Sequence, residues 1–543
     1  MNNSILLIFL VSIVVIVNGQ SQCRFAPTYK ASDLYTNEYV AQAFVNDVLY
    51  WEGFFGGTNA SGINIATGYT YDGHGIDYTT GQLANPLHDF SAPSKESIHL
   101  GVIARALDGY SPNGNFDILQ FFHVNVSQTE EEKSYIRQTD DPRWDNMITI
   151  LYRKIQTYEN WNRTFPGYGG FMPWVNVNDS GIYPIAGYWS SNVPGLDNGE
   201  MIWGIYAVYN KLYELGFYDD LAERYENYFK YLISTAKLVF YQTPGYITSV
   251  TTIKDIFAQP SPGNYQNTGG YLDDPYEGEL LTVFMDLFCE WNSTAERDQL
   301  WINKRAMLQN VQFETPLGNL TVQKGWWFSS HEQWKYFMLP YMDIPVNYKV
   351  FMNGEAARTW FSHIKEFPGL FASVTNVSEP NANPNYVSAA GIQEIAFELI
   401  LTNDVITPYA AFPTMLANFS VGLQWYYNTL IGPAMQGPYG STESVSIQGE
   451  LISPVLTWDS KITGVLGILG GISDMNSRYL EKHDLYDRFY DVIDREWSLK
   501  FPDIIGENIP LMTPNVQVPL VLHDFTDCAY ESLSSDQSNS SSN

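Results

Sequence analysis

The chain has 543 residues and carries 59 acidic against 29 basic side chains, a formal net charge of −30. That balance repels polyanions, which excludes nucleic acid and anionic membrane surfaces as partners and favours neutral ligands. Aromatic residues make up 15% of the chain, more than a core requires, and aromatic faces beside carboxylates suit sugar rings; a Tyr-rich surface is the plainer alternative.

Residues 1–20 contain an apolar run from Ile5 to Val17, then Asn18, Gly19 and Gln20. The run has the length of a signal-peptide core and is short for a bilayer span, so a secreted protein is expected, with no stable membrane span after cleavage. No Lys or Arg precedes the run, which leaves an uncleaved anchor as the alternative. Glycosylation sequons at Asn59, Asn125, Asn162, Asn178, Asn292, Asn319, Asn376, Asn418 and Asn539 agree with a secretory route. With three cysteines the chain is no disulfide scaffold. Cys23 and Cys528, near the ends of the mature chain, are the expected pair, with Cys289 left over, although sequence permits three pairings.

From there helical patterns alternate with loops rich in Gly, Pro and Asn. Helices are predicted over 96–107, 143–158, 200–215, 220–239, 279–291, 354–367, 392–401, 421–430, 461–472 and 485–497, and strand-like pieces over 246–253 and 311–322, the second turning as a hairpin around 316–319. The 220–239 segment has a clear polar face, whereas 461–472 is apolar nearly all round, the mark of an inner helix. Inner and outer helices together predict a double ring, an all-α fold with short β hairpins in its loops. No linker divides residues 21–531, so one domain is expected there, followed by a disordered Ser-rich tail over 532–543.

The most telling segment is Asp273, Asp274, Pro275, Tyr276, Glu277, Gly278 and Glu279 ahead of Leu280, Leu281, Phe284, Phe288 and Trp291. With Asp274 as N-cap and Pro275 as first helical residue, Glu277 shares the apolar face, and Glu279 falls with Asp286 and Glu290 on the polar one. A carboxylate aimed inward is costly unless chemistry needs it. The plainer alternative is a capping box, with Glu277 reaching back to the Asp274 amide.

Other loops collect carboxylates, amides and aromatics: Asp197 and Glu200 at the start of one helix; Trp327, His331 and Glu332; Tyr439 and Glu443; Trp458 and Asp459. Glycoside hydrolysis asks for one carboxylic acid to protonate the leaving oxygen and one carboxylate to activate water or attack carbon, and this inventory fits it. Capping competes at Asp197, Glu200 and Asp459. His331 has no second His at metal spacing, and Glu332 and Glu443 compete with ordinary loop charges. No zinc, nucleotide or nucleophilic-serine motif is present, and neither metal nor cofactor is expected.

Several motifs resemble those of the eukaryotic endo-β-1,2-glucanases of glycoside hydrolase family 162: Asp-Pro-Tyr-Glu-Gly-Glu at 274–279, Trp-Phe-Ser-Ser-His-Glu-Gln-Trp-Lys at 327–335, Ile-Thr-Pro-Tyr at 406–409, Gln-Gly-Pro-Tyr-Gly-Ser-Thr-Glu-Ser at 436–444 and Trp-Asp-Ser-Lys at 458–461. The resemblance implies an (α/α)6 toroid that cleaves β-1,2-glucan internally with inversion to sophoro-oligosaccharides. It places the general acid, acting through a substrate hydroxyl, on Glu277 and the general base, acting through waters, on Asp459. Glu279 is the competitor for the acid role. Asp197, Glu200, Tyr276, Glu279, Trp327, His331, Glu332, Tyr439, Glu443 and Trp458 are the expected binders of a β-glucan. Another toroid glycosidase, a lyase and a non-catalytic glucan-binding glycoprotein are the alternatives; the acidic loops would repel a polyuronate and so disfavour the lyase.

Overall fold

A computed structural model describes residues 22–528 apart from 381, 383 and 384. The predicted signal peptide, the Ser-rich tail and the Asn539 sequon lie outside the described residues. The structure is helix-rich with short two- and three-stranded sheets between the helices. Two kinds of helix occur. Pro93–Asp108 and Trp458–Ile468 are buried almost throughout, whereas Asp219–Phe240 and Tyr486–Ser498 bury one face and leave the other to water.

The buried helices pack side by side because small residues let their backbones approach. A side chain at Gly204 would meet Leu100 Cβ at 2.8 Å, which seats Gly195–Leu215 against Pro93–Asp108; one at Gly101 would meet Leu466 at 2.9 Å, which seats Pro93–Asp108 against Trp458–Ile468. Gly195–Leu215 touches Glu279–Phe288 on its other side, and Trp458–Ile468 touches Phe412–Ala417. Outer helices Glu38–Gly57, Pro142–Thr164, Pro345–Ile364 and Phe419–Leu430 lie around this set. Behind it Lys154 and Glu96, both fully buried, join Pro142–Thr164 to Pro93–Asp108 through a 2.8 Å ion pair.

Most predicted elements form. The hairpin pairs Asn310–Thr315 with Gly318–Gln323, and Thr315 faces Gly318 across a two-residue turn. The helix predicted at 392–401 does not form, apart from the turn Gln393–Ile395. Its amides are spent sideways, Ile392 N on Trp327 O (3.1 Å), Phe397 N on Gly325 O (2.9 Å) and Glu398 N on Trp326 O (2.9 Å), so this stretch braces the Trp326–Trp327 loop. The helix predicted from 354 starts nine residues earlier, where Pro345 supplies the preset first-turn φ. The helices Glu38–Gly57, Thr294–Met307 and Ser473–Lys482 were not expected from the sequence pattern.

Cys23 and Cys528 form a disulfide, with Cα atoms 5.0 Å apart, and Cys289 is free and buried. Before Cys528 the chain runs as an irregular strap across the outer helices: Trp360 Nε1 donates to Pro510 O (2.9 Å), Trp425 Nε1 to Met512 O (2.7 Å) and Asn428 Nδ2 to Val516 O (2.8 Å). The disulfide closes a loop of sequence separation 505 over this strap. Replacing Cys23 and Cys528 together by Ser is expected to cost about 2–4 kcal/mol, read as a lower denaturant midpoint; an unchanged midpoint would show that the strap holds without it.

Candidate active site

The N-terminal ends of the buried helices meet at one cavity of about 420 Å³. Ser94 and Lys95 come from the start of Pro93–Asp108, Asp197 and Glu200 from the start of Gly195–Leu215, Asp459 from the start of Trp458–Ile468, and Glu277 from the turn before Glu279–Phe288. Helix N-termini carry partial positive charge, so this end of the fold tolerates a concentration of carboxylates. A second lobe of about 300 Å³ continues the first, with Leu196, Glu277 and His331 common to both, and adds Tyr276, Trp326, Trp327 and Glu332. Glu277 therefore stands where two halves of one cleft join.

Glu277 makes no capping box. The Asp274 carboxylate instead takes the amides of Tyr276 and Gly278, both at 3.1 Å, in a tight turn that delays the helix until Glu279. Glu277 is released from local bonding, and its Oε2 is buried without a partner. Burial pushes its carboxyl well above the usual range, and the charges of Asp274, Glu332 and Asp197 push the same way. Glu200 is fully buried with both oxygens unpartnered; burial and the Glu277 charge raise it as well. The two sit close because Gly199 presses on Leu281, where an added Cβ would come within 2.8 Å. Neither Asp197 nor Glu200 caps its helix; Asp197 accepts from the Trp174 indole at 3.4 Å.

Asp459 is held differently. It does not cap its helix, its Oδ2 lies 2.9 Å from Lys95 Nζ, and its Oδ1 is buried without a partner. Burial raises the carboxyl above its usual range, the Lys95 ammonium offsets part of that rise, and the Asp72 charge adds to it. The same ammonium lies 3.2 Å from Asp72 Oδ1, and Asp72 Oδ2 lies 2.9 Å from His88 Nδ1. His331 contacts the hydroxyls of Ser329 and Ser373, each at 3.0 Å, and burial with nearby Arg358 pushes it down to about 3, so it is a neutral imidazole.

Four expected binders do not line either lobe. The helical phase puts Glu279 on a polar face, but the helix is buried on every side from Glu279 to Asp286: Glu279 is 1% exposed, 3.5 Å from Lys335, and Asp286 binds the Trp301 indole and Arg488. Trp458 is fully buried behind the cavity, donating its indole N–H to Lys95 O at 3.0 Å and packing on His99 and Phe55. Tyr439 is half-buried against the core. Glu443 lies behind the wall, its Oε1 accepting from Thr375 N at 2.7 Å. Glu332 reaches the second lobe, yet both its oxygens are taken by the amides of Trp326, Trp327 and Ser329, so it organises the Trp327 loop.

The sequence reading missed Asp72, His88, Phe90, Lys95, Trp174 and Tyr386 on the cavity wall; Trp334 and Tyr409, also on it, fall within the motifs at 327–335 and 406–409 but received no role. A polar run at 94–97 inside an otherwise apolar inner helix is the signal that could have found Lys95. The aromatics form a stacked row, His88 on Phe90, Phe90 on Trp174 and Trp174 on Trp189, with centroids 5.7–5.9 Å apart. Among the described residues no group of three or more His, Cys, Asp or Glu is placed to hold a metal ion.

Burial pushes Glu332 up to about 7 and Glu443 up to about 8. A carboxyl raised on folding stabilises fully below its unfolded value, near 4.5, and loses that contribution as pH rises through the folded one. Neutral His331 gains stability as pH rises to 6.5, so the loss is read above that: the melting temperature at fixed scan rate is expected to fall between pH 6.5 and 8, and a rise across that window would contradict these assignments.

Residues 69–529 match the sequence profile of the endo-β-1,2-glucanase SGL family, glycoside hydrolase family 162. The chain is similar to the endo-β-1,2-glucanase of Talaromyces funiculosus solved with sophorose, at 38% identity over 94% of this chain and 100% of that one, with a TM-score of 0.86. A Glu-to-Gln mutant of the same Talaromyces enzyme, solved with β-1,2-glucan, matches at 38% identity over 94% and 100% of the two chains, with a TM-score of 0.85. An endo-β-1,2-glucanase from Chitinophaga pinensis, at 12% identity over 86% of this chain and 99% of that one, shares the fold with a TM-score of 0.52. No curated protein sequence matches the chain. A family profile that spans most of the chain, and 38% identity over nearly all of it, show that this protein belongs to the family 162 endo-β-1,2-glucanases and is a glycoside hydrolase.

Proposed function

We propose that this protein is a secreted endo-β-1,2-glucanase that hydrolyses β-1,2-glucan to sophoro-oligosaccharides with inversion, Glu277 serving as general acid and Asp459 as general base. The observation that carries the reading is a pair of unpartnered carboxylate oxygens, Glu277 Oε2 and Asp459 Oδ1, lining one cavity, of which only the second belongs to a carboxylate paired with an ammonium. Among the described residues Glu277 faces carboxylates and pairs with no cation, which keeps its proton on; Asp459 is raised by burial as well but keeps one oxygen on an ammonium that draws it toward the anion. The acid gives its proton to the leaving glycosidic oxygen through a substrate hydroxyl. The base takes a proton from the water that attacks the anomeric carbon on the other face.

The continuation of the cleft past Glu277 suits cutting within a chain, because sugars bind on both sides of the scissile bond. Trp174, Trp327 and Trp334 offer ring faces, and Asp197, Glu200 and His331 offer hydroxyl partners. The side-by-side inner helices within a shell of outer ones support a single (α/α)6 toroid over residues 21–531. Export is supported by the disulfide and by exposed sequon residues Asn59, Asn125, Asn178, Asn292, Asn319 and Asn418. No helix among the described residues is long and apolar enough to cross a membrane. Incubation with linear β-1,2-, β-1,3-, β-1,4- and α-1,4-glucans is expected to yield short products from the β-1,2 polymer alone; cleavage of another glucan in preference, or of none, would overturn the assignment.

A further inference from the structure

We propose that Lys95 is a positioning residue for the hydrolytic base: held between Asp72 and Asp459, it fixes one Asp459 oxygen and leaves the other facing the water side of the cleft. The proposal rests on the reading of Asp459 as base. Lys95 is nearly fully buried, and its ammonium bridges Asp459 Oδ2 at 2.9 Å and Asp72 Oδ1 at 3.2 Å. Both ends of the bridge are built in. Asp72 is anchored by His88 Nδ1 at 2.9 Å, and its carbonyl accepts from Trp458 N at 2.8 Å. Trp458, next to Asp459, donates its indole N–H to the Lys95 carbonyl at 3.0 Å, so the backbones on either side of the ammonium are tied together as well.

The charges around Asp459 give this lysine its weight. Besides Asp72, the groups that face Asp459 from the neighbouring elements are Asp197, Glu200 and Glu443 and the phenols of Tyr386 and Tyr409. All of these are acidic or neutral, and among the described residues Lys95 is the one cation in ion-pair contact with Asp459. Without it, a carboxylate ringed by carboxylates takes up a proton and ceases to be a base. Asp72 has the opposite effect, since it draws on the same ammonium and adds negative charge nearby.

The two partners therefore predict opposite displacements. In profiles of kcat/KM against pH on β-1,2-glucan, Lys95→Met is expected to lower the plateau about tenfold or more and to move the acid limb up by about one pH unit or more. Asp72→Asn is expected to move the acid limb to lower pH, because the ammonium is then left to Asp459 alone. A merely structural role would lower the melting temperature of both variants without separating their limbs. Unmoved limbs, or limbs that move the same way, overturn the proposal; should Lys95→Met fail to fold, the Asp72→Asn limb decides alone. Asp459→Asn separates the two levels. If it binds glucan but no longer cuts while the limbs of the other variants stay put, the base reading stands and the positioning role falls; if it still cuts at the parent rate, both fall.

Discussion

Glu277→Gln is expected to lower kcat on β-1,2-glucan by about 10³-fold while leaving glucan binding and the melting temperature nearly unchanged. Glutamine reproduces the shape of the protonated carboxyl but has no proton to give. Glu277 caps nothing, because Asp274 holds the turn, and its Oε2 has no partner to lose. Glu277 keeps its proton, so a neutral amide leaves the charge beside Glu200 and Asp197 unchanged. Kinetics, a binding isotherm and a thermal melt on one preparation check this. A large fall in melting temperature would return Glu277 to a structural role, and retained turnover would move the acid elsewhere.

Lys154→Met is expected to be among the most destabilising single changes in the chain, at about 3–5 kcal/mol. Lys154 and Glu96 have no exposed side-chain surface, and the ammonium lies 2.8 Å from both Glu96 oxygens. Glu96 Oε1 also accepts from Thr70 N at 2.9 Å, and Tyr158 donates its hydroxyl to Oε2. Removal of the cation strands a carboxylate where water cannot reach it. The double change Glu96→Gln with Lys154→Met is expected to recover much of the loss, because no bare charge remains. Denaturant melts of the parent, the single and the double variant check the pattern; equal losses in single and double variants would show that packing, not the stranded charge, sets the cost. Glu96 adjoins Lys95 on one helix, so the pair also fastens the base side of the cleft to the outer shell.

How far the sequence revealed this site depended on how local each signal was. The inward placement of Glu277 was legible from the apolar spacing that follows it, but the mechanism was not: the Asp274 turn, not helical phase, frees the carboxylate. Phase failed outright for Glu279 and Asp286, since on a helix enclosed by others the polar stripe also faces protein. The cations that make this tolerable, Lys304, Lys335 and Arg488, come from other segments. Lys95 stayed invisible for the same reason, because 364 residues separate it from Asp459 and only the packed helices bring them together. Trp458 misled because aromatic type says nothing about side; it backs the cavity wall where Trp174 and Trp334 line it. Helix existence was legible in long segments such as Asp219–Phe240 and Tyr486–Ser498, but the polar-faced Thr294–Met307 and Ser473–Lys482 went unread, and residues 392–401 were lost to lateral pairing with the Trp326–Trp327 loop.

The two-carboxylate inverting mechanism is tested most directly by the anomeric configuration of the first product. Proton NMR of the parent protein mixed with linear β-1,2-glucan, recorded before mutarotation equilibrates the new reducing ends, reads it. Newly formed α-anomeric ends on sophoro-oligosaccharides, decaying later toward equilibrium, are the predicted result. Newly formed β-anomeric ends would mean retention, with a carboxylate attacking carbon, and would contradict the roles given to Glu277 and Asp459.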